Sequence, residues 1–234
     1  MKKGVTNGIL GMICSYLSTR SIAQYAFFLL SFLFFNQAIC QPDWVLVRNR
    51  SGVQVYTKFY KDKGLKQLKA ETIVSGVTLH AFVAIFRDIE NVNKWTSTLK
   101  YSKCLKVINE NEYINYFLTD IPWPLKKREG IFRVNVWQDK ADKTVYIESN
   151  AFPEFLPETD TVVRILEAKA VWKFTPIGNN QLKVQSIFYA DPRGFPPFLV
   201  NLFVTDAPLE TMTKLRESVK QDKYKNAKFD FIED

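Results

Sequence analysis

The chain has 234 residues, 47% of them apolar and 24% charged, with a formal charge of +8. That is the composition of a folded domain, not of a disordered, collagenous or polytopic membrane chain. Nine Gly, ten Pro and no repeat leave no room for a low-complexity linker or a solenoid, and three Cys with one His, His80, are too few for a structural zinc site or a disulfide framework.

Lys2, Lys3 and Arg20 precede an apolar run from Ala26 to Phe35. A basic stretch followed by such a run is the pattern of a secretory signal. The run stops at Asn36, short of the roughly 20 apolar residues a spanning helix needs. Ala38 and Cys40 put small side chains where a signal peptidase reads them, so cleavage is expected after Cys40. A signal peptide over 1–40, one domain over 41–234 and a periplasmic or secreted product follow. The alternatives are a membrane anchor through an uncleaved segment or a lipidated Cys40, and Met12 offers a second translation start. Cys104 is then the only thiol, read as a small buried side chain.

Beyond Trp44 the segments "GVQVYTKFY" and "LKAETIV" alternate and are joined by a polar stretch containing Gly64, which predicts an antiparallel pair. The basic run Lys58, Lys61, Lys63, Lys66 and Lys69 belongs to this hairpin and reads as solvated surface, with no nucleic-acid motif beside it. Thr78 is a good N-cap for a helix burying Leu79, Phe82, Val83, Phe86 and Ile89, with His80 off that stripe. From Cys104 to Ala190 six alternating segments are separated by turn chemistry such as "NENE", "QDKADK" and "PIGNN", which predicts successive antiparallel strands in a strongly curved sheet. After "DPRGFPP" an apolar stripe through Phe198, Leu202, Leu209, Met212, Leu215 and Val219 predicts a long C-terminal helix kinked at Pro208. The terminal "QDKYKNAKFDFIED" reads as a solvated tail.

Strand parity refines this. From Arg164 onward Leu166, Ala168, Ala170, Trp172 and Phe174 share one face, and Glu167, Lys169 and Lys173 the other. Arg164 has the apolar parity, and Arg128 shares parity with Phe132, Val134 and Val136. Two guanidinium groups are therefore expected to point inward, each needing an acid, backbone carbonyls, water or an anionic lipid head group; Asp120 and Asp191 are candidate partners.

These ordered signals resemble the START family of lipid-transfer domains: "GVQVY" in the first strand, Trp95 after the first helix, "PLKKRE", "VVR" at Val162 to Arg164, and "DPRGFPPFLVN". In the last, Asp191, Gly194, Pro196 or Pro197, and Asn201 fall where that family has Asp, Gly, Pro and Asn. Glu129 stands where Asp is more usual. Val134 occupies the place of the second Arg of sterol-binding members, so their buried acid–base pair does not carry over. The resemblance implies an α+β helix-grip fold, a curved antiparallel sheet wrapped around a long C-terminal helix and enclosing a hydrophobic cavity for one lipid.

The expected cavity wall is Arg128, Arg164, Leu166, Ala168, Ala170, Trp172, Val184, Ser186 and Phe188, with Phe198, Asn201, Leu202 and Met212 from the helix. The resemblance places the opening near "TDIPWPLKK" and the start of the C-terminal helix. There Trp123, Phe195 and Phe198 would meet a membrane interface, and Lys126 and Lys127 would attract anionic lipid. The expected protein is a monomer that transfers a phospholipid, sterol or fatty acid, touches membranes transiently, and uses no cofactor, metal or nucleic acid. A lipid sensor or scaffold, or a cyclase-like enzyme of the same fold, are the competing expectations; the sequence offers the latter no catalytic motif.

Overall fold

The computed structural model describes residues 44–60, 64–121, 125–203 and 205–233. The expected signal peptide and its cleavage point lie outside them. Residues 44–234 form one compact unit.

The chain opens with β1 (Val45–Arg50), β2 (Val53–Phe59) and β3 (Lys66–Ser75). Along β2 and β3 buried and part-exposed residues alternate, as the hairpin prediction requires, and Gly64 takes the positive φ of the connecting turn. Helix α1 (Leu79–Arg87) starts where Thr78 caps it, the Ala81 N–H donating to Thr78 Oγ1 at 3.1 Å. A 3-10 turn (Ile89–Lys94) leads into β4 (Leu99–Asn109), β5 (Glu112–Thr119), β6 (Arg128–Gln138) and β7 (Val145–Ala151). After a short β8 (Val163–Arg164) come β9 (Ala168–Pro176) and β10 (Gln181–Ala190), then helices α2 (Pro197–Phe203), α3 (Asp206–Ser218) and α4 (Asp222–Lys225).

The sheet order is β1–β2–β3–β10–β9–β7–β6–β5–β4, antiparallel along the path, with β8 added in parallel to β6. Pairing of β3 with β10 joins the first hairpin to the last strand, and β1 and β4 remain as open edges. This curved, unclosed sheet presents one face to the helices. Its inner rows Val53, Val55, Phe174, Val184, Val145 and Ile147 are buried with Phe82 and Ile85 of α1 and Met212 and Leu215 of α3. The Phe82 and Phe174 rings stack at 4.5 Å, fixing α1 to the sheet.

Three local expectations are corrected. The strand read as unbroken from Arg164 to Phe174 is interrupted at 165–167: Ile165 donates its N–H to Glu129 O, so this stretch follows β6 before the chain turns into β9. The long C-terminal helix is two helices, the second opening at its N-cap Thr205, ahead of Pro208. That proline lies in the first turn of α3, where its missing N–H removes no helical bond. The tail is not solvated: Tyr224 and Ile232 are buried, Phe229 and Phe231 pack on the core, and the Phe229 N–H donates to His80 Nδ1 at 3.1 Å. His80, off the helix stripe, is buried by this strap.

Candidate ligand site

The inner face divides into a filled and an unfilled end. Where α1 and α3 cover it, Val53, Val55, Phe174, Val145 and Ile147 lose essentially all solvent contact. Further along the same strands, on the same face, Trp172, Ala170 and Ser149 are half-buried, Ser186 likewise, and Phe188 is 41% exposed. No helix of the described residues packs these rows to the same degree. An apolar and small-residue face that is lined but incompletely filled is what a hydrophobic ligand needs.

Of the expected wall, Ala170, Trp172, Val184, Ser186 and Phe188 share that face with Ala168, Val184 at the filled end and Phe188 at the open one. Met212 is fully buried in the core. Leu166 does not join them; it is exposed in the turn between β8 and β9, because the break at 165–167 removes the parity that predicted it. Asn201 has another task. Its Oδ1 accepts from the Lys66 N–H at 3.0 Å and its Nδ2 donates to Gly64 O at 2.8 Å, mooring α2 to the β2–β3 turn. Phe198 on α2 is 65% exposed and Leu199 lies open beside it. Leu202 belongs to α2, but its side chain, like Trp123, lies outside the described residues.

The two arginines separate. Arg164 is on the outer face, where Nη2 meets Glu129 Oε1 at 2.7 Å and Nε donates to the same oxygen at 2.8 Å. Its other donors reach the carbonyls of Pro153, Leu156 and Pro157, so a loop is wrapped over the pair. The partner is the strand neighbour Glu129, not Asp120 or Asp191. Burial, and then the Glu129 carboxylate, push the Tyr116 phenol up to about 12. Asp120 instead pairs with Lys100 at 2.7 Å and Lys127 at 3.4 Å, and Asp191 accepts the Arg193 N–H within its own loop.

Arg128 is buried, and its hydrogen bonds among the described residues go to carbonyls: Nε donates to Pro192 O at 3.1 Å, Nη2 to Arg193 O at 2.9 Å, and Nη1 to Lys126 O. Its guanidinium lies 4.4 Å over the Phe195 ring. It therefore clamps the start of β6 to the "DPRGFP" loop. Burial lowers its pKa from the ordinary arginine value. Lys126 is exposed and donates to Asp160 O.

Sequence reading missed two polar groups. Asn115 Oδ1 and Trp95 Nε1 are buried without a hydrogen-bond partner among the described residues, a condition that costs about 1–3 kcal/mol for each group unless something satisfies it. Asn115 was legible in "YINYFL" as the one amide at the parity of Tyr113 and Phe117. Among the described residues no cluster of His, Cys, Asp or Glu has the makings of a metal site.

A curved antiparallel sheet that grips a C-terminal helix and leaves part of its inner face unfilled defines the helix-grip class. The chain belongs to the START domain family, whose profile matches residues 36–206. It is similar to the STAR-related lipid transfer protein of Xanthomonas axonopodis, with 26% identity, a TM-score of 0.70, and coverage of 76% of this chain and 99% of that structure. Human STARD10 superimposes with a TM-score of 0.68 at 20% identity, over 81% of this chain and 78% of that one. Mouse phosphatidylcholine transfer protein is 22% identical over 70% of this chain and 78% of its own length.

Proposed function

We propose that this protein holds one lipid against the unfilled part of the inner face and carries it between membranes after export from the cytoplasm. The observation that carries the reading is the row Trp172, Ala170, Ser149 with Ser186 and Phe188, which stays apolar or small where the helices no longer cover it. A lipid leaving a bilayer loses about 0.8 kcal/mol per methylene, and a dry protein wall offsets that loss. The similarity to phosphatidylcholine transfer protein supports the same assignment.

The rim supports a transient membrane contact. Phe198, Leu199 and Leu125 are exposed, and Lys126 and Lys127 stand on the same approach as Leu125. Apolar side chains beside lysines suit an anionic bilayer surface. The basic and apolar pattern of 1–40 supports export with cleavage near Cys40 to a periplasmic or secreted monomer.

Transfer is tested by mixing the protein with unlabelled acceptor vesicles and donor vesicles that hold, in separate runs, a fluorescent phospholipid or a fluorescent diacylglycerol. Carriage predicts acceptor labelling that rises in proportion to protein. Binding with no acceptor labelling would make the protein a sensor.

A further inference from the structure

The side-chain oxygen of Asn115 and the indole N–H of Trp95 are buried polar groups without a hydrogen-bond partner among the described residues. Asn115 is 2% exposed and stands on β5 between Tyr113 and Phe117, both of which pack with the core, so strand alternation turns its amide to the inner face. Its cross-strand neighbours are Phe132 on β6 and Cys104 on β4, which also pack against the core. An amide oxygen in such company is an acceptor waiting for a donor.

The wall beside it is aromatic and closely packed. Phe132 lies over Gly130, where a Cβ would overlap its ring, and the Phe132 and Phe117 rings meet at 5.6 Å. The absent side chain at 130 therefore lets the ring settle against the strand. Any larger residue there must displace it.

We infer that Asn115 anchors the ligand, and that the ligand is a neutral lipid presenting a hydroxyl or amide N–H to the Asn115 oxygen. This rests on the lipid-binding reading above and narrows it. A hydroxyl or an amide N–H has a hydrogen to donate to the Asn115 oxygen. An ionised carboxylate or phosphodiester offers acceptors only, which an amide oxygen repels.

The test uses protein expressed from its full sequence, incubated with phosphatidylcholine vesicles carrying equal amounts of 1,2-dioleoylglycerol and its 3-acetyl ester, and bound lipid is extracted and weighed by mass spectrometry. The wild type is expected to favour the free hydroxyl at least tenfold. Asn115→Leu should bring the ratio within twofold, while Asn115→Gln, which keeps a carbonyl, retains a preference. Gly130→Ala should lower uptake of both lipids alike, by pushing the Phe132 ring off its seat. Equal uptake by the wild type, or undiminished preference in a folded Asn115→Leu, overturns the inference and assigns the oxygen to a water. A wild type that loads phosphatidylcholine but neither neutral lipid overturns it also and leaves lipid binding standing. A protein that takes up no lipid overturns both.

Discussion

Glu129 and Arg164 are neighbours twice over: their backbones pair in the parallel β6–β8 ladder, and their side chains meet at 2.7 Å with 7% and 2% of their surface exposed. The pair pins the 153–157 loop to the outer face, away from the inner rows. Removing one member strands a buried charge, which costs about 3–5 kcal/mol. Arg164→Met is expected to lose that much in urea unfolding, and the Glu129→Leu/Arg164→Met double variant to recover part of it, since three carbonyls still lack their donor. Lipid loading per folded molecule should stay unchanged. A folded Arg164→Met with normal stability and no lipid would contradict this placement.

Arg128 ties Lys126, Pro192 and Arg193 through one planar group. Lysine keeps the charge but not the fork. Arg128→Lys should loosen the 191–196 segment, seen as faster proteolysis there and as faster lipid exchange with vesicles. Unchanged proteolysis with lost lipid binding would instead make Arg128 a direct ligand contact.

Asp88 fastens the C-terminal strap: Lys223 bonds its carboxylate at 2.6 Å and the Tyr224 hydroxyl donates to it at 2.7 Å. Burial raises its pKa, but hydrogen bonds from Lys223, Asn91 and Tyr224 and the Lys223 charge outweigh that and hold it below the usual 3.8. A depressed folded pKa contributes stability that is present above the unfolded value and is lost as pH falls through the folded one. Hydrogen-exchange protection factors in residues 222–233, taken against the intrinsic rate at each pH, should therefore fall below about pH 4, and Asp88→Asn should show the loosened strap already at pH 7. Protection factors independent of both acid and substitution would remove Asp88 from the strap's support.

Phe198 is open to solvent and makes little contribution to the core. Phe198→Ser should leave the melting temperature within about 2 °C, because exposed substitutions shift stability by about 0.5 kcal/mol or less. Transfer between anionic vesicles is expected to slow severalfold, and Lys126→Ala with Lys127→Ala to slow it further at low salt only. An unaffected rate would move the membrane contact elsewhere.

Much of the fold is legible because it depends on local pattern. Alternation in β2, β3 and β10, the Thr78 cap and the "PIGNN" turn each specify their own element. What was not legible depends on distant partners. Leu166 keeps the alternation of β9, yet β6 captures Val163 and Arg164 and takes the segment out of register. The tail is polar enough to pass for solvated; its Tyr224 is buried and its Phe229 and Phe231 half-buried because α1, with its C-cap Asp88, offers His80, Arg87 and Asp88 to receive them. On the inner face, the shared row of Ala170, Trp172 and Phe174 followed from parity, whereas the acid of Arg164 required knowing that β8 lies beside β6.

Whether the unfilled inner face holds a lipid is read by native mass spectrometry of the purified protein, with extraction of whatever accompanies it. The expected result is one lipid per protein molecule, recovered again after delipidation and incubation with vesicles. A protein that is empty as purified and takes up neither phospholipid, sterol, fatty acid nor diacylglycerol would contradict it.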